Sequence, residues 1–92
     1  MDDTGSIDAG LQPYIDIAIA DLAGRLGVDP AGITTQSAVL IEWPDTSLGC
    51  PQPGRQYPQV LTDGAKIVLV TGGVAYPYHA GGSTTPFLCE QG

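Results

Sequence analysis

Leu11, Ile15, Ala18, Ile19, Leu22 and Leu26 recur at the spacing of one helical face, and the apolar segments after them read as strands. That order constrains the fold more than any other feature of the chain. Pro13 is tolerated in a first turn. Asp16 and Asp21 lie off the stripe. Gly27 suits the left-handed position past a helix end, Val28 can supply the accompanying apolar contact, and Pro30 blocks a restart. The pattern therefore predicts a helix over 11–26. Residues 34–43 (TTQSAVLIEW) are β-branched and apolar, as a strand requires. Residues 57–62 read as a short strand, with Asp63 and Gly64 as a tight turn. Residues 65–71 (AKIVLVT) are apolar on both faces over 67–70, which marks a central strand. Gly72 and Gly73 turn the chain again. Val74, Tyr76 and Tyr78 then alternate on one face of the next strand, where Pro77 points to an edge or a bulge. Residues 86–89 make a short final strand. The sum is α+β: one N-terminal helix packed on a four- to five-stranded antiparallel sheet in two layers. Ninety-two residues make one domain, with 1–10 a flexible acidic tail and 11–92 the folded unit.

One stretch departs from this rhythm. Residues 44–58 (PDTSLGCPQPGRQYP) hold Pro44, Pro51, Pro53 and Pro58, and directly follow the single Trp, Trp43. Cys50 lies within it, and the second cysteine, Cys89, lies near the end of the chain. Two Cys and one His, His79, make a poor zinc set, and no C-x-x-C pair is present. A disulfide between Cys50 and Cys89 is the economical reading, and two buried free thiols are the alternative. A bridge closing roughly 40 residues would stabilise the fold by about 4 kcal/mol in the chain-entropy model. A structural disulfide implies an oxidising compartment, outside the cell or in the cell envelope. The first ten residues carry no apolar core of a signal peptide, which fits either a cytoplasmic protein or a mature exported segment without its leader; the cysteines favour the second, and a lipid anchor could precede it.

Charge narrows the partners. Ten acids stand against Arg25, Arg55 and Lys66, for a formal net charge of −7. Such a chain repels phosphate backbones and anionic lipid surfaces. No apolar run approaches the roughly 18 residues of a membrane span. Residues 21–34 resemble the first helix and turn of a DNA reader, but a strand without basic residues follows where the recognition helix should be. Residues 67–73 (IVLVTGG) resemble the entry to a dinucleotide-binding turn, but prolines and glycines follow instead of a helix. No cofactor is implied. For catalysis His79 is the only imidazole, with Ser47, Ser83, Asp45 and Asp63 as possible companions, yet no spacing assembles them. Strand alternation puts His79 on the side of Ala75 and Pro77, away from Tyr76 and Tyr78, which reads as a surface histidine. Asp2, Asp3 and Asp8 read as a solvated spacer, not a metal site.

The string W-P-D-T-S-L-G-C-P-Q-P-G from Trp43 to Gly54, followed by Tyr57, Gln59, Val60, Gly64, Ile67, Leu69, Gly73, Tyr76, Tyr78, His79, Leu88 and Cys89, resembles a family of small exported bacterial domains. The phrase DLAGRLGV at 21–28 is similar to theirs, and the likeness spans roughly residues 16–89. Pro77 departs from the pattern, where a polar or charged residue is expected. The resemblance implies export and the disulfide, and carries no established activity. The order of elements is also similar to cystatin-type peptidase inhibitors, although the segment from Gln59 to Gly64 has one residue too many for their Gln-x-Val-x-Gly loop. The late layout is similar to small bacterial serine-peptidase inhibitors.

Long loops without secondary structure are uncommon unless functional. Prolines and a cross-link would keep this one stiff, and a stiff loop binds without an ordering cost. Arg55, Tyr57 and Gln59 are the candidate binding residues; Trp43, Cys50 and Cys89 are the structural ones. The expectation is a non-catalytic exported or cell-envelope domain that binds a protein through the 44–58 loop. The alternative is a secreted peptidase inhibitor. A small hydrolase using His79 comes third.

Overall fold

The computed structural model describes residues 7–82 and 84–89. A helix, α1 (Gln12–Leu26), precedes four strands: β1 (Thr34–Trp43), β2 (Thr62–Thr71), β3 (Val74–Gly81) and β4 (Thr84–Leu88). They form one antiparallel sheet in the order β1-β2-β3-β4, so the expected α+β architecture is found. Pro13 lies in the first turn of α1, and Gly27 closes the helix in the left-handed region at φ 66°, donating its N–H to Ala23 O. The two-residue turn between β2 and β3 places Gly72 and Gly73 at φ 60° and 76°, the pair of positive angles that a tight hairpin needs.

The apolar stripe of α1 delivers Leu11, Ile15, Ala18, Leu22 and Ala23 to one face of the sheet, where Ala38, Ala65, Ile67, Leu69 and Tyr78 meet them. Leu22, Ile67, Leu69 and Tyr78 are fully buried. Each such aliphatic side chain contributes about 1.5–3 kcal/mol by leaving water. The Tyr78 hydroxyl reaches the edge of this core and donates to Asp21 Oδ2 at 2.7 Å, which also accepts from Arg25 Nε at 2.6 Å. The Tyr78 hydrogen bond, aided by Arg25, holds the Asp21 carboxyl below its ordinary value against an opposing effect of burial. Burial, then the neighbouring carboxylate, push the Tyr78 hydroxyl well up.

Two expectations need correction, and Pro77 lies at a local edge as expected. Residues 57–61 belong to no strand. Asp63 and Gly64 do not turn but lie inside β2, paired with Glu42 and Ile41. Gly64 is a glycine because a Cβ there would overlap the Ala80 carbonyl and the Trp43 indole. Pro77 lies in β3 opposite Val68, where β4 has already ended: the last ladder pair is Tyr78 with Leu88. Its carbonyl accepts from Cys89 N at 2.9 Å, and its missing N–H interrupts no ladder. Of the proposed acidic tail, residues 1–6 lie outside the described residues. Asp8 caps Gly10 N at 2.8 Å and donates its own N–H to Ala38 O at 2.8 Å, beside β1. No helix among the described residues is long and apolar enough to cross a membrane.

Candidate functional site

Alternation along β1, β2 and β3 puts Trp43, Gly64, His79 and Gly81 on the face opposite α1. The first part of the loop folds down onto that face. Asp45 starts the descent by accepting from Ser47 N at 2.9 Å and from the Ser47 hydroxyl. Leu48 and Gly49 follow with φ 57° and 73°. A left-handed leucine is strained, and here it drives the Leu48 side chain into the space that a Cβ on Gly81 would fill. A Cβ on Gly49 would likewise overlap the Trp43 ring. The seal is completed by the disulfide Cys50–Cys89, which joins the loop to the segment after β4 with Cα atoms 5.8 Å apart.

Two directional contacts hold the centre. Trp43 Nε1 donates to Ala80 O at 2.8 Å. Its ring stacks on His79, with centroids 4.7 Å apart and planes 26° from parallel. His79 Nδ1 lies 2.7 Å from Leu48 O; a carbonyl only accepts, so Nδ1 carries the hydrogen. Phe87 meets the imidazole edge-on at 6.4 Å. The reading of His79 as a surface residue is therefore wrong: it is only 7% exposed. Alternation put it on the correct side, but residues 44–50 cover that side. Burial, and after it the Lys66 charge, push the imidazole below its ordinary value of 6.5, while the Leu48 carbonyl works the other way.

Of the possible catalytic companions, Ser47 is buried and its hydroxyl bonds Asp45, not His79. Asp63 lies on β2 with its carbonyl accepting from Gly82 N at 3.1 Å. Ser83 lies outside the described residues. The hydrogen bonds of His79 and Ser47 thus serve to seat the loop, and they do not form a nucleophile–base pair. Among the described residues no group of three or more His, Cys, Asp and Glu could hold a metal ion.

The second part of the loop returns on the outside. Gln52, Pro53, Gly54 and Arg55 make a turn closed by Arg55 N to Gln52 O at 3.2 Å, with Gly54 at φ 79° after the proline. Gln52 N donates to the Tyr57 hydroxyl at 3.1 Å, and Thr46 N donates to Pro58 O at 3.1 Å. Arg55 and Gln59 are exposed and Tyr57 is half-buried, all three on this outer arm. Val60 and Leu61, 57% and 67% exposed, continue it up to β2. Of the three structural candidates, Trp43 lies underneath against Gly49 and His79, and Cys50 is bonded to Cys89. Sequence reasoning missed Leu48, Gly49, Gly64 and Gly81, which make the seat fit. The signal was present at Gly64, since a glycine within a strand pattern often marks a close approach.

A family described as Domain of unknown function (DUF8738) has a model that matches residues 15–89. No curated protein and no solved structure matches.

Proposed function

Since the chain belongs to that family of unknown function, whose description assigns no chemistry, we propose a role from the geometry: a non-catalytic domain that binds another protein through the outer arm of the 44–58 loop. The observation that carries this reading is the contrast within the loop. On its inner part Ser47, Leu48 and Cys50 are buried and Cys50 is cross-linked, while Arg55 on its outer part and Gln59 just beyond it are exposed. A surface held in this way loses little freedom on binding. Arg and Tyr are also the residue types enriched at binding hot spots. The disulfide is compatible with an oxidising compartment, and on that ground the domain is read as acting outside the cell or in the envelope.

The test is capture from envelope and culture-supernatant fractions, identification of the captured protein, and titration of its purified form. Arg55→Ala and Tyr57→Ala should each weaken binding by about 1–2 kcal/mol while melting close to the wild type. Normal binding by both variants would place recognition elsewhere on the molecule.

A further inference from the structure

We infer that residues 57–61 form a substrate-like arm for the active-site cleft of a serine endopeptidase, with Gln59 entering the specificity pocket. The peptide bond between Gln59 and Val60 would then lie at the nucleophile. This inference rests on the reading that the loop binds a protein, and it names the class of that protein.

The backbone supplies the first argument. Pro58 O accepts from Thr46 N, so it faces the β1 side; Asp63 O accepts from Gly82 N, so it faces the β3 side. Residues on opposite sides at this odd separation follow the period-two alternation of an extended chain. Residues 55–61 contain no turn or bend. The backbone groups of Tyr57, Gln59 and Leu61 therefore share the side of Asp63. β3 ends at Gly81, and among the described residues no group accepts from these three amides. They form an open edge complementary to another extended chain.

A serine endopeptidase binds its substrate as an added strand. It grips the backbone of the residue before the cleaved bond, of the residue two before that, and of the residue two after it, all along one edge. Gln59, Tyr57 and Leu61 present that set. Pro58 carries no N–H, but its position faces the loop, so the edge loses no donor. The other two registers fail. With Leu61 in the pocket the third grip would fall on Asp63, whose carbonyl is occupied by Gly82. With Tyr57 in the pocket the residue after the bond would be Pro58, and the second grip would fall on Arg55, whose N–H is bonded to Gln52 O.

The anchoring supplies the second argument. The arm is tied through Pro58 O and the Tyr57 hydroxyl at one end and enters β2 at the other. A segment fixed at both ends is already in the bound conformation and cannot leave the cleft as a loose peptide. Gln59 is exposed and uncharged, which suits a broad pocket of subtilisin type better than an acidic one.

The experiment measures inhibition of subtilisin, chymotrypsin and trypsin by the oxidised domain. The wild type should inhibit subtilisin competitively. Gln59→Arg should tighten inhibition of trypsin about 100-fold, and Gln59→Leu should do the same for chymotrypsin, because the pocket residue decides between these enzymes. Gln59→Pro, which removes the central outward amide, should abolish inhibition by a variant that still melts cooperatively. The inference is overturned if no pocket-matched variant inhibits its enzyme, or if the bond after residue 59 is simply cut and inhibition is lost. If capture of a partner still depends on Arg55 while all three enzymes are unaffected, the loop-binding reading survives and this one falls. If capture is insensitive to the loop as well, both fall.

Discussion

The two faces of the sheet are covered in different ways. On one, α1 lays an aliphatic stripe over Ala38, Ile67, Leu69 and Tyr78, and shared burial carries the contact, with a single hydrogen bond from Tyr78 to Asp21 at its edge. On the other, residues 44–50 have no periodic stripe to offer. They are held by directional devices: an indole hydrogen bond, an imidazole bonded to a carbonyl, glycines that admit a ring, and a disulfide. The difference teaches that an irregular segment covers a sheet only where individual contacts replace repetition. It also predicts different responses to damage, because burial is shared among many side chains and a clamp is not.

The largest effect should come from Trp43→Ala. It opens a cavity over Gly49 and Gly64 and leaves the imidazole without its stacking partner, at a cost of about 3–5 kcal/mol. Chemical denaturation measures this directly. Next comes the pair Cys50→Ser with Cys89→Ser, expected to cost about 2–4 kcal/mol. Amide hydrogen exchange should show residues 44–50 released while Ile67 and Leu69 stay protected. Equal loss on both faces would mean that they unfold as one unit, and the comparison would break. Gly49→Ala should follow, at about 1–3 kcal/mol, through the forced approach to the Trp43 ring and the positive φ.

The smallest effect is the sharpest. His79 is held below its ordinary value in the folded chain, so the unfolded chain takes up the proton first. Its stabilising contribution is complete above 6.5 and falls as the pH drops from there toward the lowered folded value. Asp21, also lowered, loses its contribution only further down, as the pH falls below the ordinary 3.8. Melting temperature between pH 7 and 5 should therefore decline in the wild type and decline less in His79→Gln. An identical slope in both would show that the buried imidazole does not govern the acid response of this face.

What could be read in advance divides along the same line. The stripe from Leu11 to Leu22, the cap at Gly27, the doubly apolar 67–70 and the hairpin at Gly72 and Gly73 are local patterns, and local rules find them. The disulfide was legible by counting. Gly64 was misread as a turn because a glycine after an aspartate suits a turn as well as it suits a ring lying overhead. His79 was assigned to the correct side and the wrong environment, because alternation reports which face a residue takes and not what a segment some 30 positions away does to that face. Arg55, Tyr57 and Gln59 were grouped by residue type, while their shared outer arm depends on the turn at Gly54 and the bond from Thr46 to Pro58.

Trp43 is the only tryptophan in the chain, and it lies within the loop-side clamp, stacked on the only histidine. The domain thus carries its own optical reporter, placed so that it watches one face and ignores the other. Lifting the loop would expose the indole to water and shift its emission to longer wavelength, while protonating the adjacent imidazole would dim it. A single chromophore can therefore time the opening of the loop-side face alone, without a label.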